Sequence, residues 1–124
     1  MIRSMMQTYV RQADEAIALY QAAFGAKLLN IARSPDGKVI HSELDIEGQV
    51  LAVCDVEEVS LTGNTMQFCL HYAKDQSEIV RTAYGELKEG GEVLYPLGEC
   101  MFSPLMADVI DRFGVRWCIF TEGE

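Results

Sequence analysis

The sequence predicts an α+β fold of two tandem β-α-β-β-β units, with the strands in a curled mixed sheet and the helices on its convex side. Three observations carry this. Gly25, Asp45 and Gly48 stand 66 residues before Gly91, Asp111 and Gly114. The runs around them, FGAKLL…LDIEGQVLAVC and GGEVLY…VIDRFGVRWCI, share one hydrophobic pattern. Each half also opens with a short strand-like segment followed by an amphipathic helical one. A repeated supersecondary unit decides architecture before any single residue is assigned.

The elements follow in order. Residues 4–10, SMMQTYV, form a short strand. Asp14 and Glu15 open a helix whose Ile17, Tyr20 and Phe24 recur at helical spacing, and acidic residues in a first turn suit the helix dipole. Gly25 follows the last periodic residue, as a C-terminal stop should. AKLLNIAR is a strand, SPDGK a tight turn, VIHSELDI an alternating strand, Glu47-Gly48 a second turn and QVLAVCDV a further strand. The second half repeats the plan. NTMQFCLHY is its first strand and Lys74 to Lys88 its helix, with Ile79, Ala83 and Leu87 inward and Gly90-Gly91 as the stop. Strands follow at about 92–100, 105–111 and 115–121. The segment 56–63 links the halves and is too short to separate independent domains. The chain therefore reads as one domain, 1–124, of two modules at about 4–56 and 64–121.

Alternation along each strand sorts side chains onto two faces. Leu51, Val53, Phe68, Leu70, Trp117 and Ile119 form the bulky apolar set and face the helices. Ala52, Cys54, Gln67, Cys69, His71, Arg116 and Cys118 take the concave side. That face is semi-polar, which suits a small ligand.

Bulk numbers narrow the function. The 124 residues can bury one core, and 49% are hydrophobic against 23% charged, the balance of a globular domain. Net charge is −9, and the ten basic residues are scattered, which excludes a phosphate-binding surface and nucleic acid as partner. No apolar run approaches the roughly 20 residues of a membrane span, and the N-terminus lacks a signal-peptide core. The expected location is cytoplasmic, with no membrane partner. Cys54, Cys69, Cys100 and Cys118 form no CxxC pair and are expected as free, buried thiols.

The tandem plan resembles the vicinal oxygen chelate superfamily, which includes glyoxalase I, extradiol dioxygenases and bleomycin-resistance proteins. EAIALYQAAFGAKLL resembles its first helix with the closing Phe-Gly. HSELDIEG, with Asp55 soon after, and DRFGVRW resemble the PhnB-like branch, bacterial in style. Where relatives carry an aromatic-Trp-Gly run in the long loop, this chain has Met101-Phe102-Ser103. Metal-dependent members place His, Gln or Glu on the first and last strands of each half. Mapped here, the resemblance puts those positions on Met5, Ala52, Gln67 and Cys118, with Gln7 or Tyr9 in place of Met5 if the strand shifts. Met and Ala supply no hard donor, so no metal and no cofactor is expected.

The remaining candidates are chemical. His41 and Glu43 share a strand face at i and i+2, the pairing of a base with a carboxylate, or of a structural His with its partner. His71 lies with Gln67 and Cys69 on one face. Convergence of Cys54, Cys69, His71 and Cys118 would suit a soft metal, and a Cys–His pair such as Cys69 with His41 would suit nucleophilic catalysis. Asp111 and Gly114 repeat Asp45 and Gly48, which speaks for turn geometry rather than chemistry. The resulting expectation is a homodimer that binds an unidentified small organic molecule in a concave cleft lined by these candidates, without the usual metal. A metal-dependent glyoxalase- or dioxygenase-type enzyme and a drug-sequestering bleomycin-resistance-type protein are the rivals. A methyltransferase of nucleotide-binding fold is excluded, because no Gly-rich strand-to-helix loop is present.

Overall fold

The computed structural model describes residues 1–58 and 65–123. The expected linker at 56–63 and the first residue of the second module fall partly outside them. The described residues form two compact units, one from each half of the chain.

In the first unit β1 (Met6–Val10), α1 (Ala13–Phe24), β2 (Lys27–Arg33), β3 (Val39–Ile46) and β4 (Gln49–Asp55) follow one another. Their sheet order is β1-β4-β3-β2, with β1 parallel to β4 and the other pairs antiparallel. In the second unit β5 (Phe68–Tyr72), α2 (Ser77–Leu87), β6 (Glu92–Gly98), β7 (Met106–Ile110) and β8 (Arg116–Thr121) give the same order, β5-β8-β7-β6, with the same directions. The tandem β-α-β-β-β plan is thus present, as two four-stranded mixed sheets each with its own helix. Among the described residues, no helix is long and apolar enough to cross a membrane.

The helices pack as their spacing demands. Ile17, Tyr20 and Phe24 of α1 are buried together with Leu44, Leu51 and Val53 of the sheet. Asp55 fixes the entry to α1: its Oδ1 accepts from the Ala13 N–H at 2.9 Å while Oδ2 accepts from the Val39 N–H at 2.7 Å. One side chain so serves an unsatisfied helix N–H and the start of β3. In the second unit one member of the expected inward set changes. Val80, Ala83 and Leu87 are fully buried, and Ile79 is only half-buried.

The repeat itself needs correction at two glycines. Gly25 caps α1 in the left-handed conformation, and the second-half residue in that conformation is Gly90, not Gly91. Gly91 is required for another reason, since a Cβ there would lie 2.4 Å from the Ile110 carbonyl oxygen. The repeat keeps its 66-residue spacing on the last strands, where Ala52 matches Cys118. It is one shorter on the strands beside them, because Glu43 pairs with Ala52 and Asp108 with Cys118. The stretch from Asp108 to Cys118 therefore holds one more residue than the stretch from Glu43 to Ala52. Asp111 lies one step beyond the last paired residue, whereas Asp45 still pairs with Val50.

Candidate functional site

Strand pairing puts the first-unit candidates on the sheet face opposite α1. Gln7 stands beside Ala52 and Tyr9 beside Cys54, and across the next ladder Glu43 stands opposite Ala52. Glu43 is the centre of the group. It is buried, and its Oε1 and Oε2 accept from the two terminal nitrogens of Arg3, each at 2.9 Å. Oε1 also accepts from Asn30 Nδ2 at 3.2 Å, and Oε2 lies 2.8 Å from His41 Nε2. Arg3, then His41, then Asn30 hold the carboxyl far below its ordinary range, at about 2. Glu43 is thus a fixed anion with its lone pairs occupied.

His41 presents Nε2 to Glu43 Oε2 at 2.8 Å and Nδ1 to the Cys54 thiol, 3.9 Å away. The order Cys54, His41, Glu43 resembles a nucleophile, a base and an orienting carboxylate. Burial opposes that role, because it pushes the Cys54 thiol up and keeps it protonated. Gln7 and Tyr9 are exposed on β1, with Gln7 Nε2 donating to the Tyr9 hydroxyl at 2.7 Å. Met5 is half-buried just before β1.

The second unit repeats the arrangement with other residues. Asp108 occupies the place of Glu43 and is held by Arg116, whose Nε donates at 3.0 Å and whose terminal nitrogen donates at 2.6 Å. Gln67 Nε2 donates weakly to Asp108 Oδ1 at 3.4 Å. Cys69 and Cys118 are partners across the parallel β5–β8 ladder. His71 is exposed and stacks on Phe120 with ring centroids 4.6 Å apart, and Phe102 meets the same ring edge-on at 5.1 Å. The long loop that departs from the family pattern thus supplies an aromatic wall through Phe102. Ser103 anchors that loop by donating its Oγ proton towards the Thr121 and Leu105 carbonyls, at 2.7 and 3.0 Å.

His41, Glu43 and Cys54 come together as the alternation predicts, and so do Gln67, Cys69 and Cys118. His41 meets Cys54 within its own unit. The expectation of four buried thiols fails at Cys69, which is exposed, and at Cys100, which is half-buried. Among the described residues, no three side chains of His, Cys, Asp and Glu are placed to hold a metal ion.

Arg3, Asn30 and Asp108 escaped sequence reasoning. Arg3 precedes the first strand and carries no periodic signal. Asp108 becomes recognisable only once the β7–β8 register aligns it with Glu43. The DRFGVRW run proves to be scaffold: Asp111 Oδ1 accepts from the Phe113 and Val115 N–H groups at 2.9 and 3.1 Å, and Oδ2 accepts from Trp117 Nε1 at 2.9 Å.

The donor set does not fit the divalent metal of the fold family. Ala52 has no donor atom and Met5 offers only a thioether, while Gln67 is directed to Asp108. The Cys118 thiol, pushed up to about 12 by burial and by the neighbouring Cys69, is a soft donor and not an oxygen or imidazole ligand. A hard ion needs several oxygen or imidazole ligands, and these positions do not supply them.

Solved structures share the fold. The PhnB protein of Bacillus cereus superposes with a TM-score of 0.83 at 23% identity, covering 96% of this chain and 98% of that one. PA1353 of Pseudomonas aeruginosa gives 0.79 at 21% identity with 100% coverage of both chains. The fosfomycin resistance protein FosX of Listeria monocytogenes gives 0.74 at 10% identity, covering 97% of this chain and 92% of that one. No curated protein matches the chain. The model of the Glyoxalase/Bleomycin resistance protein/Dioxygenase superfamily matches residues 4–119, nearly the whole chain, and the protein belongs to that superfamily.

Proposed function

We propose that the protein binds a small organic molecule against the sheet faces opposite its helices, and does so without the divalent metal of its superfamily. One observation carries this reading. The family's ligand positions hold Ala52 and Met5, while the face around them keeps an ordered polar group of Arg3, Glu43, His41 and Asn30. Such a face can orient a ligand by hydrogen bonds but cannot polarise it as a Lewis acid does. In the second unit the aromatic wall of His71, Phe120 and Phe102 suits a flat or apolar portion of the ligand.

A thermal-shift screen of small organic molecules, run with and without a chelator, tests the reading. The expected result is a hit whose stabilisation survives the chelator and is lost in Glu43→Gln or His71→Ala. A hit that needs added metal would contradict it and restore the metal-dependent enzyme.

The same reading includes a cytoplasmic homodimer. The outer strands β2 and β6 support it, because each exposes apolar side chains at matching positions: Leu28 and Leu29 on one, Val93, Leu94 and Tyr95 on the other. Exposed apolar edge strands invite pairing or burial.

A further inference from the structure

Cys69 and Cys118 are direct partners in the parallel β5–β8 ladder. Their neighbours Phe68 and Trp117 stack with centroids 5.5 Å apart, and Trp117 is fully buried beneath α2, so the two cysteines share the opposite face. One thiol is exposed and the other is buried. Adjacent strands lie about 4.8 Å apart, within the roughly 4.4–6.8 Å between the Cα atoms of disulfide-linked residues.

We infer that Cys69 and Cys118 form a redox-active dithiol that is oxidised by low-molecular-weight disulfides. The exposed Cys69, as thiolate, attacks one sulfur of the reagent. The reagent's S–S bond breaks, a mixed disulfide forms on Cys69, and one reagent thiolate leaves. Cys118 then loses its proton to that thiolate and attacks the Cys69 sulfur, expelling the second reagent thiolate. Two protein thiols are oxidised to one S–S bond and the reagent disulfide is reduced to two thiols, so the electrons balance. Burial and the nearby Cys69 hold the Cys118 proton firmly in the reduced pair.

The geometry also sets the character of the bond. In-register parallel partners hold their Cβ atoms near the strand spacing, wider than the roughly 3.5–4.5 Å of a relaxed disulfide. The bond is therefore strained and easily reduced, a reversible link and not a structural staple. Once formed, it removes the Cys118 thiol from one of the family's ligand positions and ties β5 to β8 across the proposed binding face.

The experiment is to expose the full chain to oxidised glutathione and read it by non-reducing mass spectrometry. The wild type should lose two hydrogens, retain no glutathione, and yield a fragment spectrum joining Cys69 to Cys118. Mild dithiothreitol should reverse the change. Cys118→Ser should stop at a glutathione adduct on Cys69. Cys69→Ser, altered at an exposed position, should leave Cys118 unmodified and serves if the buried substitution does not fold. A stable adduct on Cys69 of the wild type, a bond from Cys69 to Cys100, or glutathione on Cys118 in Cys69→Ser would each overturn the inference.

Discussion

The Glu43 carboxylate accepts from Arg3, Asn30 and His41 at once, and its stability contribution follows from that. Its folded pKa, about 2, lies below the ordinary 4.5. A depressed carboxylate stabilises the fold above its unfolded value and loses that contribution as pH falls from 4.5 toward 2. Arg3 is the largest cause, so Arg3→Ala should move the acid unfolding midpoint upward, by roughly one unit. Circular dichroism during acid titration of both proteins checks this, and superimposable curves would contradict it. Alternation alone predicted that His41 and Glu43 share a face. The rest of the group was not legible, because Arg3 approaches from a segment with no periodicity and Asn30 from a strand whose register is broken by bulges. Cys69 was misjudged for a related reason: free cysteines are usually buried, but β5 turns this position outward.

At the scale of elements, the β7–β8 turn shows how a motif that resembles a family signature can be architecture. The Asp, Gly and Trp of DRFGVRW hold one another through Asp111, which is buried and accepts from two backbone N–H groups and the Trp117 indole. Asp45 in the corresponding first-half turn accepts from the Gly48 N–H, at 2.8 Å, in a part-exposed place. Asp111→Ala should therefore cost about 3 kcal/mol, most of it from the stranded indole and backbone donors, and Asp45→Ala about 1 kcal/mol. Urea unfolding of the two variants measures the difference, and equal losses would refute the account. Strand and helix order was readable because alternation and helical spacing are local. The changed register between the halves was not, since contacts such as that of Asp111 with the Trp117 indole are made only in the folded chain.

Across the whole molecule, the two units repeat one design with different side chains: Glu43 held by Arg3 in the first, Asp108 held by Arg116 in the second. The repeat was visible in sequence, but the equivalence of Glu43 with Asp108 was hidden by the changed spacing. The proposed dimer should bury at least about 1,200 Å² in total, the lower end of stable interfaces. Light scattering at micromolar concentration should then give twice the chain mass of 13.8 kDa, whereas a monomer would end that proposal. The central claim is that this member of the superfamily works without the family's metal. Its most direct test is calorimetric titration of the reduced, chelator-treated protein with Zn, Ni, Mn and Fe(II). Ala52 offers no ligand, Met5 a thioether, and Gln67 is directed to Asp108, so no tight binding of any of the four is predicted. Stoichiometric metal that survives dialysis, and is lost in Gln67→Ala or Cys118→Ala, would contradict the claim.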